Sequence, residues 1–213
     1  WQNLLRSPNN PLMNRALQSQ QPPGSVFKII VALAALEEGL IDPQKEFACP
    51  GYFDMGSHVF HCWRKEGHGA VNLHRAIVES CDVYFYNVGN RLGVDRLARY
   101  AQFFGLGQPT GIALYPEKGG LIPTSLWKLK QYKVPWYPGE TLSLAIGQGY
   151  NLTTPLQMAV VTAAIANGGR VFRPFLVKRL VSPEGTVLKE FSPQQIRSIP
   201  VNPVNMQLIR ESM

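Results

Sequence analysis

The sequence predicts a mixed α/β domain in which helices outweigh strands. Three observations carry this. Ser25 to Leu40 is an apolar run of strong helix formers, helical patterning recurs over residues 73–105 and 153–167, and two β-like runs flank a turn at residues 182–185. With 213 residues and 45% hydrophobic content, the chain can bury one sizeable core. It shows no internal repeat.

Residues 1–21 carry Asn, Gln and Ser with little periodicity and read as a loop feeding the first long helix. Pro22-Pro23-Gly24 sets the entry angle, Ser25 falls at or beside the N-cap, and Gly39 marks the end. The stretch between, SVFKIIVALAALEEGL, is apolar on almost every face, which is the pattern of a buried helix. Residues 41–72 are loop-rich and hold two of the three cysteines and three of the four histidines. Residues 73–105 read as two helical pieces broken at Gly93, and a loop of prolines and glycines follows from Gly105 to Gly139. Thr154-Pro155 opens a further helix that Gly168-Gly169 closes. Phe175–Val181 and Thr186–Phe191 pair around Ser182-Pro183-Glu184-Gly185 as a hairpin within residues 170–192, and VNPVNMQLIRESM ends the chain as a helix-like stretch.

The first candidate chemistry is Ser25 with Lys28. Residues three apart on a helix share a face, about 5–6 Å apart at Cβ, so hydroxyl and amine point into one space. The first turn also offers free N–H groups to developing negative charge. A lysine ordinarily enters as an acid, and serves as a base only where burial disfavours its charged form; the apolar surroundings of Lys28 can do this. Alone, Ser-x-x-Lys is short enough to be a cap and a snorkelling lysine. A second cluster, Glu79-Ser80-Cys81-Asp82, interrupts an apolar stretch. In a tight turn Ser80 and Asp82 face one side and Cys81 the other, and Ser80 can pass a proton between Lys28 and a leaving amine.

The third candidate is metal-like. Cys49, Cys62, His68 and Cys81 use every cysteine and one histidine, at loop spacings able to close on a tetrahedral Cys3His zinc site. A disulfide with a leftover thiol, or three buried free thiols, are the other outcomes, and Asp54, His58 and His61 are substitute ligands.

PPGSVFK, ESCD some fifty residues on, and AIGQGYNLTTPLQMA together resemble the transpeptidase domain of the penicillin-binding proteins, closest to the class B enzymes of cell elongation. NPLMNRALQ and the GHG segment share the likeness, which covers most of the chain. It implies a serine transpeptidase/β-lactamase-like α+β fold, with the helical half largely present and the central antiparallel sheet mostly missing. It also implies a peptidoglycan D,D-transpeptidase in which Ser25 attacks a stem peptide ending in D-Ala-D-Ala and Lys28 is the base. Ser80 returns a proton, and Asp82, where many relatives carry Asn, holds substrate or Lys28. β-Lactams would trap Ser25, and the elongation relatives carry zinc beside the cleft, with ligands at places that match the Cys3His set, some of them aspartate rather than cysteine. The implied setting is a periplasmic domain of an inner-membrane-anchored protein, beside a membrane glycosyltransferase and the scaffold of the elongation machinery. The family's Lys-Ser/Thr-Gly motif does not occur in the sequence, so the chain is expected to be a partial domain, cut at both ends and inactive alone.

The bounds set by composition are broader. No run of about 18 apolar residues and no secretory signal occurs. A net charge of +7 favours anionic partners, yet the most basic stretch, Trp127 to Lys133, fits a solvated amphipathic face better than a nucleic-acid surface, and no nucleic acid is expected. Two other functions remain open. A serine β-lactamase or β-lactam sensor shares Ser-x-x-Lys, and a non-enzymatic zinc-binding module would account for the cysteines but leave Ser25 and Lys28 without purpose. Gly147-Gln148-Gly149 is assigned no catalytic role.

Overall fold

The computed structural model describes residues 1–56 and 58–213. Its centre is α3 (Lys28–Glu37), whose Ile30 to Ala35 are fully buried, as a helix apolar all round requires. Its end is a Schellman motif. Gly39 takes the left-handed conformation (φ +62°), while the Gly39 and Leu40 N–H groups donate to the Leu36 and Ala35 carbonyls at 3.1 and 2.9 Å. Upstream, residues 1–21 carry two one-turn helices, α1 (Gln2–Leu5) and α2 (Arg15–Gln18), where the sequence predicts loop alone. Ser25 lies in a separate 3-10 turn, Gly24–Phe27, that leads into α3; it is not an α-helical N-cap.

Several of the other helices pack around this rod. α4 (Leu73–Val78), α5 (Asp82–Leu92) and α6 (Val94–Phe103) follow in sequence, and α5 and α6 pack on α3. The first break falls at Glu79-Ser80-Cys81, not only at Gly93. Residues 105–139 are less irregular than their prolines suggest. Here α7 (Ser125–Tyr132) starts where the Thr124 hydroxyl accepts from Trp127 N at 3.0 Å. Then α8 (Pro138–Ala145) uses Pro138 in its first turn, and Glu140 reaches back to Tyr137 N at 2.8 Å. A proline that reads as a loop signal is here a helix start. α9 (Pro155–Ala166) has the reciprocal cap of Thr154 and Gln157, and α10 (Pro203–Glu211) packs on α3 and α9.

Strands are short and come as four antiparallel pairs among the described residues. β1 (Phe47–Cys49) pairs with β4 (Gly69–Val71), and β2 (Tyr52–Asp54) with β3 (Val59–His61), so residues 47–71 form two nested ribbons. Residues 170–192 are not one hairpin. β5 (Arg170–Phe172) pairs with β8 (Gln195–Ser198), and only β6 (Arg179–Val181) with β7 (Val187–Glu190) makes the hairpin. No helix among the described residues is long and apolar enough to cross a membrane. The fold is mixed α/β, helices dominating, as the sequence predicts.

Candidate active site

Ser25 is exposed and Lys28 is buried, 3% accessible, so nucleophile and amine sit on either side of the protein surface. Residues three apart eclipse in a 3-10 turn, which sets the two on one line. As the second residue of that turn, Ser25 carries an N–H that precedes the first intrahelical bond and is open to an oxyanion. What seats the turn lies far off in sequence. Gly24 N donates to Gly147 O at 2.9 Å, and a Cβ at Gly147 would fall 2.1 Å from Gly24 O. Gly147, given no role from sequence alone, is therefore the residue that lets the 144–150 segment press against the nucleophile's turn. The repeated glycine of Gly-Gln-Gly is the sequence signal for it.

Ser80 closes the other wall. Cys81 N donates to Ala76 O at 2.9 Å and Ser80 N to Ile77 O at 3.1 Å, a second Schellman motif with Ser80 at the left-handed position, φ +52°. Glycine is usual there, and a serine is strained by about 1 kcal/mol. The strain aims a hydroxyl. Ser80 Oγ and Ser25 Oγ share a 2.8 Å hydrogen bond, and Lys28 Nζ donates to Ser80 Oγ and to Ser80 O at 2.9 Å each. The third Lys28 donor goes to Asp82 Oδ1 at 2.6 Å. Ser25 thus meets Ser80 directly, and Lys28 lies one hydroxyl further back. A cavity of 350 Å³ opens here, lined by Ser25, Lys28 and Ser80 with Ile77 and Val78.

Cys81 faces away, fully buried, toward Cys49, Cys62 and His68. The four ligand atoms lie within 4.8 Å of one another, and His68 Nδ1 is 3.5 Å from both Cys49 Sγ and Cys62 Sγ. No cysteine is in a disulfide. Burial pushes the Cys81 thiol well up and holds His68 below its ordinary range. Three thiols and one imidazole nitrogen converging in a buried pocket fit a tetrahedral zinc ion, which would draw the thiols to thiolates. Asp54, His58 and His61 are exposed and outside this cluster; His58 lines a separate 590 Å³ cavity with Met55, Phe60 and the start of α8. In the Trp127–Lys133 stretch, Lys128 is buried, paired with Glu140 and stacked 4.2 Å from the Tyr137 ring centroid.

The penicillin-binding protein transpeptidase domain model matches residues 2–213. The chain belongs to that family. As a transpeptidase domain it is 42% identical to the peptidoglycan D,D-transpeptidase MrdA of Haemophilus influenzae over 193 residues, 90% of this chain and 29% of that protein. The chain therefore spans under a third of that relative's length. Penicillin-binding protein 2 of Pseudomonas aeruginosa superposes with a TM-score of 0.87 at 38% identity, over 99% of this chain and 45% of that one. The Helicobacter pylori penicillin-binding protein 2, solved in complex with MreC, gives 0.86 at 36% identity, over 100% of this chain and 38% of that one.

Proposed function

We propose that this transpeptidase domain carries the acyl-serine chemistry of a peptidoglycan D,D-transpeptidase that cross-links stem peptides ending in D-Ala-D-Ala. The observation that carries it is the unbroken path from the Ser25 hydroxyl through Ser80 Oγ to Lys28 Nζ, 2.8 and 2.9 Å long, at the mouth of a cavity. Ser25 Oγ attacks the carbonyl carbon of the penultimate D-alanine while its proton moves to Ser80 and that of Ser80 to Lys28. For this step Lys28 enters as the amine, keeping two N–H bonds for Asp82 and Ser80 O and turning its lone pair to Ser80 Oγ. The Ser25 N–H supports the oxyanion. Collapse expels D-alanine, which regains the proton by the reverse route, and an acceptor amine then attacks the acyl ester and frees Ser25. The carboxylate-binding role of the family's Lys-Ser/Thr-Gly motif is not assigned to any residue of this sequence.

Cys49, Cys62, His68 and Cys81 would hold one zinc ion, which would supply structural cross-linking of residues 49–81 behind the Ser80–Asp82 turn. Relatives named peptidoglycan D,D-transpeptidases and a neighbour solved in complex with MreC support protein partners in cell-wall synthesis, while the glycosyltransferase partner and the periplasmic, inner-membrane-anchored setting rest on the family resemblance alone. The test is labelling of the complete protein by a fluorescent penicillin, with peptide mass mapping. Lasting label on Ser25, absent in Ser25→Ala, is expected. Rapid release of label would instead make the protein a β-lactamase, and no label at all would reject acyl-serine chemistry.

A further inference from the structure

Trp63 follows Cys62 in the chain and is 63% exposed, an unusual place for an indole. Its two N–H groups nevertheless go to one place. The Trp63 backbone N–H donates to Asp82 Oδ2 at 3.0 Å, and its ring Nε1–H is shared between Glu79 O and Ser80 O, each at 3.1 Å. The ring also stands edge-on to His68, 5.2 Å between centroids at 67°.

Each contact answers a need of the relay. Asp82 holds Lys28 through Oδ1, and a carboxylate fixed by one oxygen alone is free to swing about its χ2; the Trp63 N–H fixes the other oxygen. Ser80 stands in a strained left-handed conformation that persists only if its surroundings over-determine it. Its carbonyl is gripped from inside by Lys28 Nζ and from outside by Trp63 Nε1. The backbone N–H that restrains Asp82 belongs to the residue after one cysteine of the cluster, and the ring leans on its histidine. We infer that Trp63 is a positioning residue. It transmits the order of the Cys49–Cys62–His68–Cys81 centre to the Lys28–Ser80–Asp82 relay, and so sets the rate of serine acylation without touching substrate. This rests on the acyl-serine function proposed above.

The test compares the complete zinc-loaded protein with Trp63→Phe, which keeps the ring on His68 but loses the Nε1–H, and with Trp63→Ala, which loses both. Stopped-flow acylation by a fluorescent penicillin separates non-covalent affinity from the limiting acylation rate, and a chromophoric chelator titrates zinc retention. Trp63→Phe should hold zinc and melt as wild type does, bind penicillin with unchanged affinity, and acylate about three- to tenfold more slowly, the loss of one net hydrogen bond. Trp63→Ala should be at least as slow and should also release zinc more readily. Stripping zinc should slow the wild type by a larger factor than it slows Trp63→Ala, because there the ring and Nε1–H contacts are already gone and only the backbone N–H to Asp82 still joins the two. Trp63→Phe acylating at the wild-type rate overturns the assignment, as does a loss in both variants that merely tracks zinc content. A wild type that takes no label rejects the acyl-serine function itself, and this role with it, whereas with a labelled wild type the variant rates bear on Trp63 alone.

Discussion

Ser80 concentrates a conflict between stability and chemistry. The backbone at the end of α4 calls for glycine, and the relay between Ser25 and Lys28 calls for a hydroxyl. Two substitutions separate the demands. Ser80→Gly and Ser80→Ala both remove the hydroxyl, but only glycine relieves the left-handed strain, so Ser80→Gly should be the more stable of the two by about 1 kcal/mol. Both should lose acylation together. Equal urea midpoints for the pair would mean that the turn carries no such strain. From sequence, Ser25, Lys28, Ser80 and Asp82 stand out as candidates only in combination, because each short motif alone reads as a cap and the family resemblance is what joins them. The order of the relay is not legible, since it depends on which side the turn presents, and that is fixed by backbone hydrogen bonds from Cys81 and Ser80 to the carbonyls of Ala76 and Ile77. Trp63 is hidden for a related reason, since it acts through long-range contact that no local pattern encodes, and for Gly147 the Gly-Gln-Gly repeat marks a tight turn without saying what it presses against.

At the scale of elements, two contacts determine how the helices hold the site. Gly89 of α5 meets α8 so closely that an added Cβ would lie 2.4 Å from Ala145 Cβ. Gly89→Ala gains about 1 kcal/mol of helix propensity but must push α8 away, and overpacking of this kind costs about 1–3 kcal/mol. The single variant should therefore melt below wild type, and adding Ala145→Gly should restore much of the loss; additive losses in the double variant would contradict the contact. The second contact joins the end of α3 to α6, where Glu38 accepts from Tyr100 Oη at 2.9 Å and pairs with Arg99 and Arg96. The Tyr100 hydrogen bond, then the arginine charges, hold the Glu38 carboxyl below its ordinary range. A depressed folded value gives stability that is present above the unfolded carboxyl pKa of about 4.3 and fades as pH falls through the folded one. Wild type should thus exceed Glu38→Gln in melting temperature at pH 7, with the gap closing in acid; a gap constant from pH 7 to pH 3 would deny Glu38 any part in the acid sensitivity. The buried helix α3 and α9 are readable in advance because their apolar runs are long and their ends carry cap residues. Helix α8 is masked by a proline that serves as its start, α7 by the prolines and glycines around it, and the ribbons of residues 47–71 by strands only three residues long, too short for any alternation to register.

On the scale of the molecule, residues 47–71 form ribbons that would not stand alone, since isolated two-stranded pairs are marginal in water. Beside packing on α4 and α5 and the Trp63 hydrogen bonds, their hold on the helical body includes the Cys49, Cys62, His68 and Cys81 cluster, with Cys81 supplied by the helix side and the other three by the ribbon side. A zinc ion there would join the two parts by coordinate bonds. Structural zinc contributes about 10–16 kcal/mol in finger peptides, against about 5–15 kcal/mol for the whole stability of a typical domain. Its removal should therefore lower the melting temperature by about 10 °C or more, and slow serine acylation because the Ser80–Asp82 turn loses its backing. The pH dependence has a fixed sign. Burial raises the Cys81 thiol well above its ordinary range when no cation is present, so zinc binding must displace protons, and affinity must climb with pH and fall in acid. Competition with a chelator at pH 6, 7 and 8 should show tighter retention at each step upward. One zinc per chain by metal analysis, released on acidification and followed by three titratable thiols, is the expected result; a chain free of zinc with the same melting temperature before and after chelator treatment would leave the ribbons to be held by packing alone.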